Sequence, residues 1–234
     1  MKRQGKYLKT MKNLTSFGMV TLVLLLNSEG KGFCGGVLLK SNFVLTTAKC
    51  TLPHMGSPIR VVIGNNRLHG ARHITHVKEK YIHSRYDKDT GENNVALLQL
   101  QEHIDCNSYQ LPICIPDRDF VEHVLIPQLA GIVSGWKVEG DELRDSLVEL
   151  PVSYLPENKC EQVLNVSLTT REFCVHHQEP VDGKLTGGSF SATNYKGTWF
   201  LTGILGTWPI EANNSETLLF TKTSRYMMWF HKNM

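Results

Sequence analysis

Short apolar runs, separated by turn-forming residues, recur along most of the chain. The first half holds Gly36-Val-Leu-Leu39, Phe43-Val-Leu45, Arg60-Val-Val-Ile63 and Val95-Ala-Leu-Leu-Gln-Leu100. The second half continues with Ile132-Val-Ser134, Leu147–Val152, Thr198–Ile204 and Thr217-Leu-Leu-Phe-Thr221. This spacing of short runs predicts an all-β sandwich or barrel. Two segments differ. Glu157–Leu164 reads as a short helix, and Ser224–Lys232 places Tyr226, Trp229 and Phe230 at helical spacing behind Ser224 as candidate cap. Asn27–Gly32 reads as a hairpin turn, and the Pro-rich stretch from Leu111 to Pro127 as a linker between two halves.

The beginning of the chain has two readings. A basic stretch precedes Phe17–Leu26, ten mostly apolar residues. That order suits a signal peptide. It also suits a buried Val/Leu-rich strand opening a barrel, the reading we favour. Ten residues are too few to span a bilayer. Residues 1–12 carry Lys2, Arg3, Lys6, Lys9 and Lys12 and no acid, so the formal charge of +3 belongs to this leader and the remainder is slightly acidic. No nucleic-acid footprint follows from such a distribution. With 234 residues, 41% of them hydrophobic, the chain can bury a sizeable core.

Six cysteines (Cys34, Cys50, Cys106, Cys114, Cys160 and Cys174) form no C-x-x-C pair, which argues against a zinc knuckle or a thioredoxin-like site. An even number in a β-rich chain points to disulfides and an oxidising compartment. Sequons at Asn13, Asn165 and Asn213 are candidate glycosylation sites and agree with secretion. His69, His73, His76 and the pair His176-His177 read as solvated loop histidines. No metal and no cofactor is expected.

At Phe33-Cys-Gly-Gly36 and Val44-Leu-Thr-Thr-Ala-Lys-Cys50 the chain resembles the trypsin-like, chymotrypsin-fold serine proteases. The likeness continues through Glu92–Leu100, Gly131–Trp136, Trp199–Ile204 and Thr221–Trp229, covering roughly residues 20–234. It implies an all-β fold of two packed six-stranded antiparallel barrels with a cleft between them. Barrel 1 would span about 20–110, barrel 2 about 125–221 and a C-terminal helix about 223–232; residues 1–19 would be a basic leader or a replaced linker.

Active members use a serine nucleophile, a histidine base and an aspartate that orients the histidine. The matching positions here are Lys49 for the histidine, Asn94 for the aspartate and Thr186 for the serine, at separations of 45 and 92 residues that fit the family layout. A general base must accept a proton near neutral pH, and lysine ordinarily holds one there. Asparagine cannot stabilise an imidazolium, and the threonine methyl crowds the nucleophile position. Lys184 takes the place of the oxyanion-hole glycine, and Leu185 that of the aspartate receiving a new N-terminal amine. Asp182 replaces a pocket cysteine whose expected partner near Trp208-Pro209 is missing, and no Ile-Val-Gly-Gly-like activation sequence stands near the start. The expectation is an inactive homologue, not an enzyme. The alternatives are an atypical hydrolase pairing Thr186 with Lys49, or a truncated form without function. As plain structure, Lys49 is a solvated charge, Asn94 a turn residue and Thr186 a loop filler.

The same resemblance implies disulfides Cys34–Cys50 and Cys160–Cys174. Cys114 would bond to a separate light chain, or locally to Cys106. Within the family the vitamin K-dependent coagulation group is most similar, on Asn27–Gly36, Asn42–Cys50, Cys160–Val166 and Gly197–Gly203. It implies a secreted cofactor in blood coagulation that binds a serpin and so promotes inhibition of activated factor X. That group also carries Gla and EGF-like domains. The sequence has neither a Glu-rich cluster nor EGF-type cysteine density, so it reads as a truncated or alternative form without calcium-dependent membrane docking.

Overall fold

In the computed structural model, which describes residues 22–63, 73–105, 111–139, 142–178, 184–206 and 216–234, Leu22–Leu26 forms a strand (β1). Its faces alternate, as strand side chains must. Leu22 and Leu24 face the seam between two barrels, whereas Val23 and Leu25 point into the first barrel's interior. Both faces are buried, which is why this strand reads as an unbroken apolar run. The turn to β2 (Gly32–Lys40) is set by Asn27, whose Oδ1 accepts the N–H groups of Glu29 and Lys31. Gly30 supplies the left-handed residue there, at φ +84°.

The first barrel adds β3 (Phe43–Thr46), β4 (Arg60–Ile63), β5 (His73–Ile82) and β6 (Ala96–Leu100) and closes in the order β1-β2-β3-β6-β5-β4. The second consists of β7 (Gly131–Glu139), β8 (Glu142–Leu155), β9 (Glu172–His177), β11 (Phe190–Tyr195), β12 (Thr198–Leu205) and β13 (Thr217–Lys222). It runs β7-β11-β12-β13-β9-β8 and closes because β8 also pairs with β7; the two-residue β10 (Lys184–Leu185) lies against the far end of β7. Two closed six-stranded antiparallel barrels with a C-terminal helix make this the chymotrypsin fold.

Trp136 of β7 fastens the barrels together. It is buried in a cluster containing Leu22, Leu24 and Val37 from one barrel and Phe190, Leu201 and Ile204 from the other. Its indole N–H donates to the carbonyl of Val23 at 3.2 Å, satisfying the one polar atom such a side chain brings into a core.

Three helices are short: α1 (Ala48–Thr51), α2 (Glu157–Leu164) and α3 (Met227–Asn233). The expected linker is partly helical. Asp117 accepts the N–H of Phe120 and starts a helical turn, Arg118–Phe120, that runs on through Val121–Leu125 and Ile126–Gln128. Glu122 pairs within the segment with Arg118, and its ion pair with Arg225 ties the segment to the C-terminal region. Ser224 is not the helix cap the spacing suggested. It is buried within a 3-10 turn, Thr223–Tyr226, and α3 begins after it without a side-chain cap.

Candidate functional site

The cleft positions are fixed by backbone contacts before any side chain matters. Thr47 caps α1, its Oγ1 accepting the N–H of Cys50 at 3.1 Å, and Cys50 is bonded to Cys34 of β2. The helix is thereby pinned to the end of β3, with Lys49 exposed on it. Lys80 of β5 secures the turn beyond, donating to the carbonyls of His54 and Ser57; burial lowers the pKa of its ammonium.

Asn94 stands just before β6 and is buried, 3% exposed. Its Oδ1 accepts the backbone N–H of Lys49 at 2.9 Å. The facing position is Gly206, immediately after β12. A Cβ there would lie 2.7 Å from Asn94 Nδ2, so a side chain at residue 206 would force the carboxamide to shift. Nothing in the local sequence around Gly206 pointed to this role, since the contact exists only between barrels.

Thr186 lies 92 residues further along and is 5% exposed. Its hydroxyl finds no hydrogen-bond partner among the described residues. Its backbone N–H donates to the carbonyl of Trp136 at 2.9 Å, continuing the ladder in which Lys184 and Leu185 pair with Val138 and Lys137. An N–H already donating to a carbonyl is not a free oxyanion donor. Leu185 explains the pairing, because its side chain sits in the interior cluster of the second barrel with Val133, Leu150 and Leu205. Lys184 is exposed.

The next residues reach back across the cleft. Gly187 accepts the N–H of Gly35 at 2.9 Å, and a Cβ on Gly187 would stand 2.9 Å from Cys50 Sγ. Gly188, at φ +85°, faces the Gly35 carbonyl so closely that a Cβ would lie 1.9 Å from it. The segments bearing Lys49, Asn94 and Thr186 therefore converge. Their side chains do not join in one hydrogen-bonded chain: no bond links the Thr186 hydroxyl to Lys49 or to Asn94.

Elsewhere, Cys160 of α2 is bonded to Cys174 of β9. Cys114 is exposed and has no disulfide partner among the described residues; Cys106 lies outside them. Asn165 is exposed in the left-handed conformation that ends α2. Asn13, Asn213, His69, Asp182, Trp208 and Pro209 lie outside the described residues. Among the described residues no three His, Cys, Asp or Glu side chains gather as a metal site.

The family model described as Trypsin matches residues 16–230. Over 233 residues the chain is 29% identical to vitamin K-dependent protein C of Oryctolagus cuniculus, covering 91% of this chain and 49% of that protein. The chain thus spans about half the length of this curated relative.

Proposed function

The chain belongs to the trypsin family, and on that premise we propose that it is a catalytically inactive member acting as a secreted cofactor in blood coagulation. It binds a serpin, the protein Z-dependent protease inhibitor, and so promotes inhibition of activated factor X. The resemblance of Asn27–Gly36, Asn42–Cys50, Cys160–Val166 and Gly197–Gly203 to vitamin K-dependent protein Z supports the choice of partner. The observation that carries the inactivity is at Thr186. Its hydroxyl is buried without a bond to Lys49, and its N–H is already committed to Trp136. A hydrolase built on Thr186 and Lys49 would need a nucleophile in reach of a base and a vacant oxyanion donor. The unbonded Thr186 hydroxyl and the committed Thr186 N–H weigh against such a hydrolase and support the inactive reading. The exposed Asn165 sequon and the two disulfides support secretion and glycosylation.

The test is to mix the protein with the serpin and run native and denaturing gels. A proteolytic enzyme would give a covalent acyl complex that survives denaturant. The proposal requires a complex on the native gel that vanishes on the denaturing one. A covalent band sinks the inactivity, and no complex at all sinks the serpin partnership.

A further inference from the structure

We propose that His83 is a pH-sensitive latch: its neutral imidazole holds the loop from His83 to Glu92 against the C-terminal segment, and protonation releases it. The loop lies between β5 and β6 and leads directly to Asn94. Within it, His83 Nδ1 accepts the backbone N–H of Arg85 at 3.2 Å. That bond uses the lone pair of Nδ1, so the ring must be neutral with its proton on Nε2. The ring also packs edge-on to Tyr226 at 5.5 Å and 87° and against Trp229 at 5.4 Å. Two polar contacts complete the fastening. Tyr226 donates to Asn93 Oδ1 at 3.3 Å, and Asn93 Nδ2 donates to the Arg85 carbonyl at 3.0 Å.

Arg85 and Arg171 oppose a second role for the ring as a cation. On its own loop stand Arg85, Tyr86, Lys88, Asp87, Asp89 and Glu92; Arg171 faces it from the turn before β9, and Arg225 with Tyr226 from the C-terminal segment. The Asp87 carboxylate already accepts the N–H groups of Asp89 and Thr90, and Arg225 is paired with Glu122. Tyr226 stays neutral, its pKa pushed up to about 12 by burial. Burial, then Arg85 and Arg171, lower the pKa of His83. On protonation Nδ1 becomes a donor facing the Arg85 donor, and a further cation joins the two guanidinium groups.

The direction of the pH effect follows from linkage. Because the folded pKa lies below the usual value of 6.5, the unfolded chain takes up the proton first. The contribution is complete above that value and is lost as pH falls toward the depressed one. Release of the loop would reshape the 480 Å³ groove that it forms with Arg171, Met228 and Trp229. No part of this depends on a serpin.

The experiment is hydrogen exchange on the loop peptide of the full chain, corrected for intrinsic exchange, from about pH 7.5 to about pH 5. Protection of the Arg85 amide should fall about fivefold as the pH drops, the loss of one ordinary hydrogen bond. In His83→Asn, whose carbonyl oxygen can still accept that N–H, protection should not vary with pH. In His83→Phe, which keeps the ring and loses the acceptor, it should be low throughout. Equal pH dependence in wild type and His83→Asn, or a flat wild-type profile, overturns the proposal. Ring-nitrogen NMR of the wild type decides independently of any variant: a protonated Nδ1 above pH 7 would also overturn it.

Discussion

The Asn94 carboxamide accepts the Lys49 backbone N–H at 2.9 Å, while its Nδ2 fills the space that a side chain at residue 206 would need. A position that holds the orienting carboxylate in active trypsin-like proteases thus still does half of a structural job. It secures the short helix that carries Lys49, and Gly206 accommodates it from the other barrel.

Removing that acceptor leaves a partly buried N–H unpaired. Asn94→Ala should destabilise the protein by about 1–3 kcal/mol, read as a lower denaturant midpoint. Gly206→Ser should cost a similar amount, about 1–3 kcal/mol, through the clash with Nδ2. In the double variant the clash has no partner, so the combined loss should fall short of the sum by about 0.5 kcal/mol or more. Strict additivity would show that the two residues do not act on each other.

Thr186 carries a buried hydroxyl with no partner among the described residues. Thr186→Val keeps the shape and replaces that hydroxyl with a methyl. It should be neutral or stabilising by up to about 1 kcal/mol in thermal unfolding. A marked loss of stability would mean the hydroxyl has a role that the static contacts do not show.

Inside the second barrel, Tyr154 is a polar hub. Its hydroxyl lies 2.7 Å from Thr193, 2.8 Å from Thr202 and 3.5 Å from Ser191, and burial raises its pKa. Tyr154→Phe would take from the buried Thr193 hydroxyl its bond to Tyr154, while Thr202 and Ser191 keep the 3.0 Å bond between them. The expected cost is about 1–3 kcal/mol, measurable by urea denaturation, with no change in any surface property.

Tyr226 gives an alkaline signature. Its folded pKa of about 12 exceeds the ordinary value of 10.0, so its contribution to stability is complete below 10 and is lost as pH rises through 12. Phenolate absorbance should show a late component shared by Tyr226 with Tyr154 and Tyr86, whose pKa values burial also raises. Tyr226→Phe should shrink that late component by one tyrosine. An unchanged late amplitude in the variant would show that Tyr226 does not contribute to it.

Much of the fold was legible because apolar runs are what barrel strands require. β1, β3, β4 and β6 lie within or beside runs visible by eye, and Glu157–Leu164 is the helix its pattern suggested. The strands that escaped notice are those whose patterns are mixed. In β5 the register buries Thr75 and leaves Ile74 half exposed, the reverse of what polarity suggests. β9 and β11 carry two histidines, a serine, a threonine and an asparagine among few aliphatic residues. Ser224 misled as a cap because a hydroxyl before an apolar pattern looks the same whether it caps a helix or is buried in the turn before it.

The sequence by itself determined the family scaffold and which residue types stand at the three positions where the resemblance expects a catalytic triad. Both are properties of order and spacing along the chain, and need no coordinates. Only the tertiary structure decided what those residues touch. Asn94 holds the backbone of Lys49, Gly206 yields space to Asn94, and the Thr186 amide is drawn to Trp136 because Leu185 buries itself in the second barrel. Each of these contacts joins residues far apart in sequence, and side chains this distant meet only after two barrels have closed and packed across a common seam.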